Sequence, residues 1–227
     1  MADATGAPGE LLSLAFDERQ VSARWLQPAG ARACYVLAHG AGAGMEHPAM
    51  RATALGLAAL GIATLRFQFP YMQQRARRPD PAPLCHATVR AAVREAARLA
   101  PALPLFAGGR SFGGRMSSQA QALEPLPGVR GLVFLGFPLH PTGRPSDERA
   151  RHLEQVGVPM LFVQGERDAL AEPSLLAALM LRLRGRATLE LVAHADHSFH
   201  VPAKLGKDSE VLSALLAGVA RWMAGLP

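Results

Sequence analysis

The sequence predicts an α/β fold: a doubly wound, mostly parallel open sheet preceded by an N-terminal antiparallel hairpin. Three features point there. Apolar runs of strand length alternate with longer runs of helical length from about residue 33 onward. Most of those strand-length runs lack polar alternation, as expected where helices cover both faces of a parallel sheet. Two shorter segments ahead of them do alternate, which suits two strands joined by a turn.

Taken in order, residues 1–10 read as a flexible lead-in and 11–227 as one domain. The alternating segments 11–16 and 21–26 flank the polar stretch Asp17-Glu18-Arg19-Gln20 and form the hairpin. Strands are then expected at 33–38, 62–67, 103–107, 131–136, 160–164 and 188–192. Helices are expected at 47–60, 86–100, 113–123, 147–156, 173–184 and 208–223. Strands and helices in strict alternation build crossover units around a parallel sheet. The connections 68–84 and 138–146 exceed the usual length, and loops of that size tend to be functional or mobile. Ligands of such sheets bind at the carboxyl ends of the strands, so chemistry-bearing residues are sought there.

Composition narrows the function classes. The 227 residues carry a formal charge of +6, so an anionic partner has to be weighed. The basic residues are nearly all arginine, Lys204 and Lys207 being the only lysines, and they are scattered apart from Arg75, Arg77 and Arg78. No nucleic-acid partner is expected from that pattern. Cys34 sits in an apolar strand-like run, which with only one other cysteine, Cys85, favours free thiols in a reducing compartment. Residues 1–10 lack the basic flank and apolar run of a secretory signal, and no run is long enough to span a membrane. A cytoplasmic location is expected.

The strongest local signal follows the run 103–107, where Gly109-Arg110-Ser111-Phe112-Gly113 leads into a helical segment. A serine between a strand and a helix, with glycine two residues to either side, occupies a tight and strained turn. Its hydroxyl then stands clear of the sheet edge, and the helix N-terminus behind it favours developing negative charge. Ser111 is therefore the candidate nucleophile.

The chain resembles the α/β-hydrolase superfamily. Within it, it is similar to the small dienelactone-hydrolase-like group that also includes the hydrolase-like domain of a nonspecific-lethal chromatin-complex subunit. The residues carrying the likeness are His39-Gly40-Ala41-Gly42-Ala43-Gly44, Arg66-Phe67-Gln68-Phe69-Pro70-Tyr71, Gly109-Arg110-Ser111-Phe112-Gly113-Gly114-Arg115, Gly165-Glu166-Arg167-Asp168 and Ala195-Asp196-His197-Ser198-Phe199. The resemblance implies a serine hydrolase of carboxyl esters or related acyl compounds. A serine needs a base that is itself oriented by an acid, in the chain order Ser, Asp or Glu, His. Asp168 and His197 fill that order, with Glu166 and Asp196 as rival acids and His194 and His200 as rival bases. The short spacings between them leave no room for a large cap domain. The resemblance also assigns the oxyanion donors to the backbone amides of Ala41 and Phe112.

Weaker signals remain. Phe69, Tyr71 and Met72 follow one strand end and His140 another, so they are candidate walls of a substrate pocket. Arg75, Arg77 and Arg78 would either pair with an anionic end of the substrate or form a solvated loop. Arg110 and Arg115 read as helix-surface charges, and His39 as a brace for its loop. His194, His197 and His200 repeat at the spacing of metal ligands, but no further ligand accompanies them, so neither a metal nor any other cofactor is expected. The expected partner is a small acyl substrate. The competing reading is a non-catalytic interaction domain that retains the fold.

Overall fold

The computed structural model describes residues 9–226. Of the expected flexible lead-in 1–10, residues 1–8 lie outside the described residues, and Glu10 already opens the first strand. The chain runs β1 (Glu10–Phe16), β2 (Arg19–Leu26), β3 (Ala33–Ala38), α1 (Pro48–Ala59), β4 (Ile62–Phe67), α2 (Pro70–Gln73) and α3 (Ala82–Leu99). It continues through β5 (Leu105–Arg110), α4 (Phe112–Leu123), β6 (Val129–Leu135), a 3₁₀ segment (Glu148–Gln155), β7 (Met160–Gly165), α5 (Pro173–Arg182), β8 (Ala187–Val192) and α6 (Asp208–Ala224).

The eight strands form one sheet in the order β1-β2-β4-β3-β5-β6-β7-β8. The hairpin β1-β2 joins β4 antiparallel, and every later pairing is parallel. Both faces are covered, which is why β3, β4 and β7 are buried along their whole length. Alternate residues of β3 serve two cores. Cys34 and Val36 pack beneath α3, α4 and α5, while Tyr35 and Leu37 pack beneath α1 and α6. Both cysteines are buried free thiols, and burial pushes each up to about 12. Among the described residues no helix is long and apolar enough to cross a membrane.

The short helix α2 stands within the stretch 68–84 read as a loop, and three further elements depart from the sequence expectations for a local reason. The segment 147–156 is a 3₁₀ helix rather than an α-helix. Its fully buried residues Ala150, Leu153 and Val156 recur every three positions, the repeat at which 3₁₀ side chains eclipse. Helix α3 begins at Ala82 instead of 86, with Pro81 as its cap and Pro83 in the first turn, where a missing N–H costs nothing. Strand β5 extends to Arg110, because Gly108 and Gly109 belong to the sheet itself.

Those two glycines allow the neighbouring backbones to approach. A Cβ at Gly108 would sit 1.9 Å from the Val133 carbonyl oxygen, and one at Gly109 would sit 2.1 Å from that of Ala38. Gly108→Ala should therefore destabilise the protein by about 4 kcal/mol or more, in the range of severe core clashes. Gly185→Ala has a positive φ of +79 but nothing within 4 Å of its new methyl, and should cost about 1 kcal/mol. Urea denaturation of both variants checks the contrast, and equal losses would contradict it.

Candidate active site

Ser111 caps α4 with φ 46 and ψ −115, a left-handed conformation that few serines adopt. The turn closes tightly because Gly113 has no Cβ; one there would lie 2.5 Å from the Ala38 carbonyl oxygen. His197 follows β8 through a short turn and brings its Nε2 to 2.8 Å from Ser111 Oγ. Its Nδ1 lies 2.7 Å from Asp168 Oδ2. A carboxylate only accepts, so the imidazole carries its proton on Nδ1 and presents Nε2 as an acceptor to the serine hydroxyl.

The Asp168 side chain is fully buried. Its Oδ1 accepts from the Leu170 amide at 2.8 Å, and its Oδ2 also accepts from the Gln164 side-chain amide. Gln164 is buried at the end of β7, and its Oε1 accepts from the Phe137 amide at 2.9 Å. Sequence inspection missed Gln164, which stands in an apolar run with no motif around it. The rival residues are engaged elsewhere. Glu166 accepts from the His194 amide, and Asp196 accepts from the Ser198 and His200 amides. His200 Nδ1 donates to Asp208. The three histidines thus meet three different carboxylates, Glu166, Asp168 and Asp208. A second serine–histidine pair, Ser118 and His152 at 2.7 Å, is fully buried on the serine side, and Ser118 Oγ also donates to the Arg115 carbonyl.

The loop 39–47 lies beside the serine, with Gly40 against Ser111 Cβ. Among the described residues the amides of Ala41 and Phe112 have no hydrogen-bond partner. For Phe112 this follows from its place in the first turn of α4. Side-chain ties hold the loop. Gly42 N donates to Tyr71 OH at 3.2 Å, and Met45 N to Gln68 Oε1 at 2.8 Å. Arg66 in β4 donates to the Met45 carbonyl, and Arg24 in β2 pairs with Glu46. His39 Nε2 accepts from the Phe69 amide while Nδ1 donates to the Gly40 carbonyl.

Two cavities meet at Ser111. One, of about 460 Å³, is lined by Asp80, Phe112, Arg115, Pro138, Arg149 and others. The second, of about 510 Å³, has His47, Met50, Arg110, His197 and His200 among its walls. Ser111, Ala41 and Leu170 belong to both. None of the four expected pocket residues Phe69, Tyr71, Met72 and His140 lines either one. Phe69 and Tyr71 turn inward as buried struts, packed edge-on against Phe112, and Met72 sits against Gly44. His140 is buried with both ring nitrogens bonded to backbone, at Pro141 and Glu172. Arg75, Arg77 and Arg78 are exposed. The arginines that do face the first cavity are Arg115 and Arg149.

Residues 31–224 match the family described as alpha/beta hydrolase domain, and the chain belongs to that family. It is similar in fold to a dienelactone hydrolase from Anabaena variabilis, at 21% identity and a TM-score of 0.77 over 96% of this chain and 97% of that one. An alpha-beta serine hydrolase homologue from Coxiella burnetii matches at 20% identity, with a TM-score of 0.75 over 94% and 97%. An a/b serine hydrolase without lid from Xanthomonas campestris matches at 22% identity, with a TM-score of 0.72 over 97% of each chain.

The electrostatics of the loop brace make a testable difference. Burial holds the His39 imidazole down at about 4, against the ordinary 6.5, and burial holds His152 down likewise. Their unfolded counterparts bind more protons between these values, so the stability is complete above pH 6.5 and is lost as pH falls toward 4. For fully buried His39 the loss is about 3 kcal/mol. Urea unfolding at pH 7 and pH 4.5 should show this fall, and His39→Gln should make it shallower.

Proposed function

We propose that this chain hydrolyses carboxyl esters or related acyl compounds through an acyl-enzyme on Ser111. The observation that carries the reading is the continuous hydrogen-bond chain Ser111–His197–Asp168 at the common wall of two cavities. Ser111 Oγ attacks the carbonyl carbon and His197 Nε2 takes its proton. Buried Asp168 keeps the ring in the required tautomer and stabilises the imidazolium that forms. The amides of Ala41 and Phe112 donate to the oxyanion, and being backbone groups they are fixed before the charge develops. His197 returns the proton to the leaving oxygen. Water then attacks the acyl-serine by the reverse sequence, and no cofactor enters any step. The substrate is a small molecule, a reading that the cavity volumes of about 460 and 510 Å³ support.

A fluorophosphonate probe should label the wild-type protein and not Ser111→Ala; absence of labelling on folded wild type would overturn the reading. Asp168→Asn should lower kcat by about a thousandfold or more, as loss of the tautomer-setting acid does elsewhere, while Glu166→Gln should change it by less than about threefold, as expected of a surface group outside the reacting chain. Comparable losses in both would overturn the assignment of the acid to Asp168.

A further inference from the structure

His197 lines only one of the two cavities, and its proton must reach the leaving oxygen. The leaving group therefore lies on the His197 side, and the acyl group extends into the other cavity. That acyl-side cavity is chemically peculiar. Arg115 and Arg149 both face it, and among the described residues neither forms an ion pair. Arg115 stacks over the Phe112 ring at 5.7 Å, and its buried Nε has no hydrogen-bond partner. Burial lowers the Arg115 pKa, and the neighbouring Arg149 charge lowers it further. Asp80 faces the same cavity, but its Oδ2 accepts from the Tyr71 amide. Two guanidinium charges against one carboxylate leave a positive excess where the acyl chain must end.

We propose that Arg115 and Arg149 bind an anionic end on the acyl group, so that the preferred substrate is a half-ester of a dicarboxylic acid. This rests on the hydrolase reading above. A planar guanidinium fork matches a carboxylate in two parallel hydrogen bonds, which a neutral acyl end cannot make. In the reaction the Ser111 Oγ–acyl bond forms as the acyl–alkoxy bond breaks, and the proton passes through His197 to the departing alcohol. Water then releases the dicarboxylate, the distal carboxylate remaining unchanged throughout.

The test compares para-nitrophenyl half-esters of glutarate, adipate and pimelate with neutral esters of the same chain length, corrected for spontaneous hydrolysis. The wild type should favour the best half-ester in kcat/KM by about tenfold or more, the worth of a charge-assisted hydrogen bond. Arg149→Gln should bring that ratio close to one, and Arg149→Lys should restore part of it. Arg149 carries the decisive comparison because Arg115 also packs on Phe112, where replacement disturbs the fold of the site. Butyrate esters of para-hydroxybenzoate and of its methyl ester place the same charge on the leaving group instead. A greater preference for that charged alcohol would overturn the assignment of the cavities. Ratios at or below one, or unchanged in Arg149→Gln, overturn the proposal while fluorophosphonate labelling of Ser111 leaves the hydrolase reading intact. No labelling and no turnover of any ester overturns both.

Discussion

Gly109 and Gly113 both bring a bare Cα against the carbonyl of Ala38, and the geometry of the site is set by that approach. Ala38 ends β3, and His39 and the loop 39–47 follow directly. The residues on either side of Ser111 are therefore locked to the strand that launches the loop carrying the Ala41 amide. A side chain at either glycine would force the two apart, enough to spoil the proposed convergence of the Ala41 and Phe112 amides on one oxygen. The left-handed backbone at Ser111 is maintained by the same contact, since helix α4 has nowhere else to start.

The rest of the sheet edge is organised to keep that arrangement still. Glu46 is gripped by Arg24, and Arg66 reaches the Met45 carbonyl from the adjacent strand, so two sheet arginines fasten one end of the loop. Tyr71 and His39 fasten the other. On the far side, Gln164 and the Leu170 amide fix both oxygens of Asp168. Hydrogen bonds between buried groups of this kind turn a set of loops into a rigid frame.

Much of this was legible from the sequence. The runs 33–38 and 62–67 are strands with the bounds expected of them, and glycine spacing singled out Ser111. Residue order alone brought forward Asp168 and His197, which meet in the structure. What was not legible depends on side-chain direction across distant elements. Phe69, Tyr71 and His140 follow strand ends as pocket residues do, yet Phe69 packs edge-on against Phe112 while Tyr71 and His140 hydrogen-bond neighbouring backbone. Arg115 has the local pattern of a helix-surface residue; only the packing of the 3₁₀ segment on α4 places it beside Arg149 at a cavity. The proline-rich stretch before 86 looked irregular because proline breaks helices in their interior, whereas here it starts one.

In the proposed reaction, the shared wall of the two cavities separates the fates of the two halves of a substrate. With Ser111 as the partition, the alcohol departs through its own opening while the acyl portion stays where it was bound. The space it vacates lies beside His197, where an incoming water finds its base already in place. A second alcohol entering by the same door would accept the acyl group instead. For that reaction the layout makes acyl transfer and hydrolysis competitors for one chamber, decided by what fills it first.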